Sequence, residues 1–136
     1  MSDERQRVSS GTVWERRVGF SRAMRVGPFV SVSGTTATDD EGNAVGLNDP
    51  ARQTEYIIEK IGRALEDAGS SLQHVVRTRI YVTNADDWEA IGLVHGRYFG
   101  DIRPANTLIE VSRIVGDEYL VEIEADAIIP DDRWDT

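Results

Sequence analysis

Apolar and polar residues alternate along residues 103–113 and again along 120–128, the period-two signature of strands with two unlike faces. Gly116, Asp117 and Glu118 supply turn chemistry between them. The pattern therefore predicts a hairpin that opens at Asn106 and carries Glu122 on its second arm. On that arm Tyr119, Val121, Ile123, Ala125 and Ala127 share one face, and Glu122, Glu124 and Asp126 the other. Residues 75–83 alternate as well. Val76, Thr78, Ile80 and Val82 are expected on one side, Arg77, Arg79, Tyr81 and Thr83 on the other. Nearer the start, a β region is expected from Trp14, with strands at 21–26 and 29–33 turning through Gly27 and Pro28.

Two stretches carry the helical period instead. Ile57, Ile61, Ala64, Leu65 and Ala68 form one apolar stripe. Asp49 can cap the start of that helix, Pro50 suits its first position, and Gly69 ends it. After a helix entry at 84–87, Trp88, Ile91, His95 and Tyr98 or Phe99 mark a second amphipathic helix. Gly92, Gly96 and Gly100 weaken it and suggest close packing against a sheet. The predicted order is β-β-α-β-α-β-β, an α+β fold in which two helices cover one face of a mixed sheet of about five strands. Residues 1–12 read as a flexible polar lead-in, 13–130 as a single domain, and 131–136 as a polar tail in which Trp134 is free to dock on a neighbour.

Composition narrows the chemistry. The chain of 136 residues is long enough for a core without cross-links, and it has no cysteine, which excludes disulfides, thiolate metal sites and thiol catalysis. His74 and His95 form no recognisable ligand set, so no metal is expected. No apolar run approaches the roughly 20 residues that span a bilayer, and residues 1–7 lack an apolar signal core, so no membrane partner and a cytoplasmic location are expected. The net charge of −9 sets up a field that repels nucleic acid. The basic residues are fourteen Arg and a single Lys, Lys60, a bias that suits either a GC-rich genome or a salt-adapted host. The sheet face away from the helices carries Arg77 and Arg79 beside Glu122, Glu124 and Asp126. Pattern alone leaves this as either a solvated face with weak ion pairs or a subunit interface.

Residues 29–34 (Phe-Val-Ser-Val-Ser-Gly), the Pro104-Ala105 pair, residues 109–113 (Ile-Glu-Val-Ser-Arg) and residues 121–125 (Val-Glu-Ile-Glu-Ala) together resemble the RidA family, also called YjgF, over about residues 18–128. The resemblance implies a chorismate-mutase-like fold and a homotrimer with small-molecule clefts between subunits. It also implies hydrolysis of reactive enamines and imines, such as 2-aminoacrylate, to a keto acid and ammonia, without cofactor or metal. Residue by residue it implies Glu122 as the catalytic carboxyl and Ser33 as a substrate-binding group. Deaminating members carry an Arg after Pro-Ala that clamps the substrate carboxylate; here that position is Asn106. Their Tyr near the first strand is matched by Phe20, and their Asn on the second helix by Gly92. Arg103, three residues before Asn106, is a candidate replacement cation or a solvated loop residue.

Losing a hydrogen bond to an ionised group, about 1.5–3 kcal/mol, removes roughly one to two decades of affinity. Two readings follow: an imine or enamine hydrolase with an altered substrate, in which Asn106 meets a neutral group, or a non-catalytic ligand-binding trimer. A nucleic-acid role lacks an aromatic-basic platform, and chorismate-mutase activity rests on fold analogy alone.

Overall fold

The computed structural model describes residues 5–131. The elements, in chain order, are β1 (Arg5–Val8), α1 (Val13–Val18), β2 (Ala23–Val26), β3 (Phe29–Thr35), α2 (Pro50–Asp67), β4 (Val75–Val82), α3 (Trp88–Phe99), β5 (Ala105–Glu110) and β6 (Val121–Ile128). They build one six-stranded mixed sheet in the order β1-β2-β3-β6-β4-β5. Among the described residues, β4 and β5 are the one parallel pair.

The expected hairpin of residues 103–113 with 120–128 does not form. β5 pairs with β4, and β6 inserts between β3 and β4. The reason lies in the order strand–helix–strand: β4, α3 and β5 make a crossover unit, which returns the chain parallel to its start. β6 must then occupy the centre of the sheet, because Val121, Ile123, Ala125 and Ala127 are at most 1 % exposed. The alternation read along that strand is exact, with Glu122, Glu124 and Asp126 half-exposed on the other face. On β4 the predicted facing holds from Arg77 to Val82. It fails at Val76, which is exposed, because the register slips between Val75 and Arg77.

α2 and α3 cover the apolar face, as expected. Ile57, Ile58, Ile61 and Leu65 from α2 meet Ile91 and Phe99 from α3 over Val30, Val32, Ile80, Val82 and the apolar row of β6. Each such side chain contributes about 1.5–3 kcal/mol by leaving water. Asp49 caps α2 by accepting from the Arg52 amide at 3.0 Å, and Gly69 follows its end in the left-handed conformation at φ 84°. The fully buried Gln53 on α2 ties two loops down. Its Nε2 donates to the carbonyls of Gly46 (3.1 Å) and Glu118 (3.0 Å), and its Oε1 accepts from the Leu120 amide (2.8 Å). That anchor fixes where β6, and hence Glu122, begins.

The start of the chain departs from expectation. Residues 5–8, read as lead-in, pair with β2, and the β region expected from Trp14 begins instead with α1. α1 inverts the usual pattern: Glu15 is buried while Val13, Trp14 and Val18 are exposed. The glycines of α3 also differ from their reading, since Gly92 and Gly96 are exposed with no atom near the place of a Cβ. Residues 132–136, including Trp134, lie outside the described residues.

Candidate functional site

The predicted site residues fall into two groups on opposite faces of the sheet. The first lies on the face away from α2 and α3, where β3 bulges. Val32 pairs with Ala125 but Thr35 with Ile123, so Ser33 and Gly34 share the space of one ladder position. The bulge presses the Gly34 backbone against Glu122. A Cβ on Gly34 would lie 2.5 Å from Glu122 Oε2, so only glycine leaves room for that carboxyl. Ser33 Oγ donates to the Ser21 carbonyl at 2.6 Å, which fixes the hydroxyl and keeps its lone pairs as acceptors. Phe20 follows α1, with its amide bound to the Glu15 carbonyl at 2.9 Å and its ring 40 % exposed.

A residue not foreseen from the sequence completes this group. Arg22 Nη2 donates to the Gly34 carbonyl at 2.9 Å. Among the described residues its Nε is the one buried side-chain nitrogen or oxygen without a partner. Burial pulls the Arg22 pKa down, and the negative charges of Glu15 and Glu122 oppose that pull. Glu122 shows the complementary balance. Burial pushes its pKa above the ordinary 4.5, Arg22 pulls it back, and Glu124 adds to the rise. Glu15 is buried too, yet hydrogen bonds from Ser10, Ser9 and Thr12 outweigh burial and hold its pKa below 4.5. Lys60 Nζ donates to the carbonyls of Thr36 (3.3 Å) and Thr38 (2.8 Å), which pins the chain just after the bulge.

An open groove of about 1190 Å³ runs beside this group, lined in part by Phe20, Ser33, Arg5, Arg7, Arg16 and Glu124. Farther along the same face Arg79 pairs with Asp126 at 3.0 Å and Glu124 at 3.6 Å, and Tyr81 donates to Glu124 at 2.8 Å. The expected cross-strand pairing of Arg79 with the acidic row is thus present. Arg77 instead donates to Thr107 Oγ1 at 2.6 Å.

The second group lies on the helix side, at the edge strand. Asn106 on β5 stands opposite Thr78 on β4, and its Nδ2 donates to Thr78 Oγ1 at 2.9 Å. Thr78 Oγ1 is also 2.9 Å from His95 Nε2 on α3. Burial lowers the His95 pKa from 6.5, and the ring lies 4.6 Å from that of Phe99. Nothing in the sequence links Thr78 to His95; the parallel β4–β5 crossover makes them neighbours. Gly92, one turn before His95, leaves open space rather than a side chain. Arg103 is exposed in the left-handed conformation at φ 54°, with no side-chain partner among the described residues. The described residues hold no cluster of three or more His, Cys, Asp or Glu that could bind a metal. No helix among them is long and apolar enough to cross a membrane.

A mixed sheet covered on one side by helices, with a partly buried carboxyl at a glycine bulge and a polar edge strand, defines an α+β fold. The family model described as Endoribonuclease L-PSP matches residues 14–129. The crystal structure of a Mycobacterium tuberculosis member of the YjgF/YER057c/UK114 family superposes with a TM-score of 0.84 at 45 % identity, over 93 % of this chain and 100 % of that one. A putative endoribonuclease from Thermotoga maritima superposes with a TM-score of 0.79 at 30 % identity, over 96 % of each chain. The 3-aminoacrylate deaminase RutC of Acinetobacter baylyi is 34 % identical over 101 residues, which are 74 % of this chain and 79 % of that protein. The chain belongs to the RidA/YjgF family.

Proposed function

We propose that this chain is a cofactor-independent imine or enamine hydrolase. Its clefts form between copies of a homotrimer, with an altered substrate because Asn106 stands where deaminating relatives have Arg. The observation that carries the proposal is Glu122, a carboxyl lodged against Gly34 whose pKa burial raises above the ordinary 4.5, the direction an acid–base role calls for. In its neutral form Glu122 gives a proton to the imine nitrogen, which makes the carbon electrophilic. As carboxylate it then takes a proton from the attacking water. The C–O bond forms; Glu122 then returns its proton to the nitrogen of the carbinolamine, the C–N bond breaks as ammonia leaves with the electron pair, and the hydroxyl proton passes back to the Glu122 carboxylate as the carbonyl forms. The balance is one imine and one water to one carbonyl compound and one ammonia.

The separation of the two groups supports the shared cleft. Glu122, Ser33, Gly34, Phe20 and Arg22 lie on one face, while Asn106, His95 and the space at Gly92 lie at the edge of the other. A head-to-tail contact that sets the edge strand of one copy against the bulge of the next would join the groups, and such contacts close into a ring when the rotation between copies closes. The exposed edge, with Ile109 at 47 % and Leu93 at 68 %, gives that contact apolar area. The RutC relative's 3-aminoacrylate deamination supplies the reaction class by likeness. The name of the family model speaks of RNA cleavage, but a net charge of −9 opposes a polyanion.

The experiment generates imines from a panel of amino acids and amino-acid amides with an oxidase and follows their decay. Decay at least tenfold faster than in buffer is expected for one or more members of the panel. Decay at the buffer rate throughout rejects the hydrolase. It would favour the second reading, a non-catalytic ligand-binding trimer, for which the engagement of Asn106 by Thr78 and the missing hydroxyl at Phe20 already speak.

A further inference from the structure

The chain of hydrogen bonds from His95 through Thr78 to Asn106 has a direction, and the direction decides what Asn106 shows to a ligand. Thr78 is fully buried, and Asn106 Nδ2 and His95 Nε2 are the side-chain partners of its hydroxyl. Its oxygen accepts from Asn106 Nδ2, so its own proton needs a different acceptor. His95 Nε2 is the acceptor available, which requires the neutral ring with its proton on Nδ1. Burial favours the neutral ring. His95 is only half-buried, and its Nδ1 is not a buried atom without a partner among the described residues. With one N–H of Nδ2 held inward by Thr78, the Asn106 carbonyl oxygen has no partner among the described residues on this exposed edge strand. On α3, one turn before His95, Gly92 has no atom within 4 Å of the place of a Cβ.

We propose that His95, acting through Thr78, turns the Asn106 amide so that its oxygen faces the cleft, and that this half of the site takes a ligand with an N–H donor, a carboxamide, in place of a carboxylate. The inference deepens the hydrolase reading and rests on it for the cleft. An amide oxygen accepts from N–H and repels a carboxylate oxygen, so the site selects by mismatch as well as by contact. His95 is a positioning residue here, and Asn106 the group that meets the ligand.

The test uses two stable keto probes, 2-oxobutanamide and 2-oxobutanoate, with the full chain labelled with nitrogen-15. His95 is expected to show the Nδ1–H tautomer, with Nε2 at the shift of an unprotonated ring nitrogen. The carboxamide is expected to bind about tenfold or more tightly than the carboxylate, the scale of one hydrogen bond gained against one repelled. His95→Phe keeps an aromatic ring beside Phe99 but gives the Thr78 proton no acceptor except the Asn106 oxygen. The amide then turns over, and the preference is expected to disappear while the variant stays folded. An Nε2–H tautomer, equal or tighter binding of the carboxylate, a preference unchanged in His95→Phe, or failure of both probes to bind at millimolar concentration would overturn the inference. None of these readouts needs turnover. Loss of the hydrolase reading would show as absent imine decay with tautomer and preference intact. Loss of this inference would show as the wrong tautomer or preference beside normal decay.

Discussion

Replacing Glu122 with Gln will slow the decay of the best imine substrate by about 100- to 10,000-fold, the range that a positioned acid–base group contributes. Gln keeps the shape against Gly34, so the loss reports proton transfer and not a collapsed bulge. The same variant is expected to melt at a higher temperature than the parent at neutral pH. The folded state raises the Glu122 pKa above 4.5, so it favours the neutral form. The stability from that preference is complete below 4.5 and is lost as pH rises through the raised value. Gln, permanently neutral, keeps it at pH 7. Thermal melts at pH 4 and pH 7 check the sign: the advantage of the variant should be present at pH 7 and shrink at pH 4. A rate within tenfold of the parent would remove Glu122 from the chemistry.

Replacing Asn106 with Arg will raise the rate on small 2-imino acids, such as that derived from 2-aminoacrylate, by about 10- to 100-fold. A guanidinium at that position regains a hydrogen bond to an ionised carboxylate, about 1.5–3 kcal/mol, and adds a bidentate geometry that an amide lacks. The substitution sits on an exposed edge position and leaves Thr78 its bond to His95. Single-turnover decay of oxidase-generated imino acid measures the gain. A folded variant with no gain favours the binding reading over the hydrolase.

Much of the fold is legible in the sequence, and the gaps have physical causes. The alternation along β6 placed the acidic row and the apolar row correctly, because a strand buried on one face writes its facing into every second residue. The stripe of α2 and its Asp49 cap were readable for the same local reason. Strand neighbours were not. Gly116 to Glu118 can turn a hairpin, and only the parallel crossover through α3 shows that β5 belongs beside β4. α1 escaped because it buries Glu15 and exposes Trp14, the reverse of the pattern that periodicity detects. Arg22 and His95 were missed as site residues for a different reason. Each gains its place from a partner distant in sequence, the Gly34 carbonyl at the bulge and the Thr78 hydroxyl under α3. The chain does not pair Asn106 with Glu122 on one hairpin, and the proposed trimer would make the same two residues partners across copies.

That last point is the centre of the account, and mixing two crippled variants tests it. Glu122→Gln and Asn106→Ala are each expected to be nearly inactive alone. Co-refolded in equal amounts, they should regain about a quarter of the parent rate, because a cleft built head to tail takes Asn106 from one copy and Glu122 from the next, and half times half of the clefts are intact. A mixture no faster than the average of the two separate variants would show that the two residues do not share a cleft between copies.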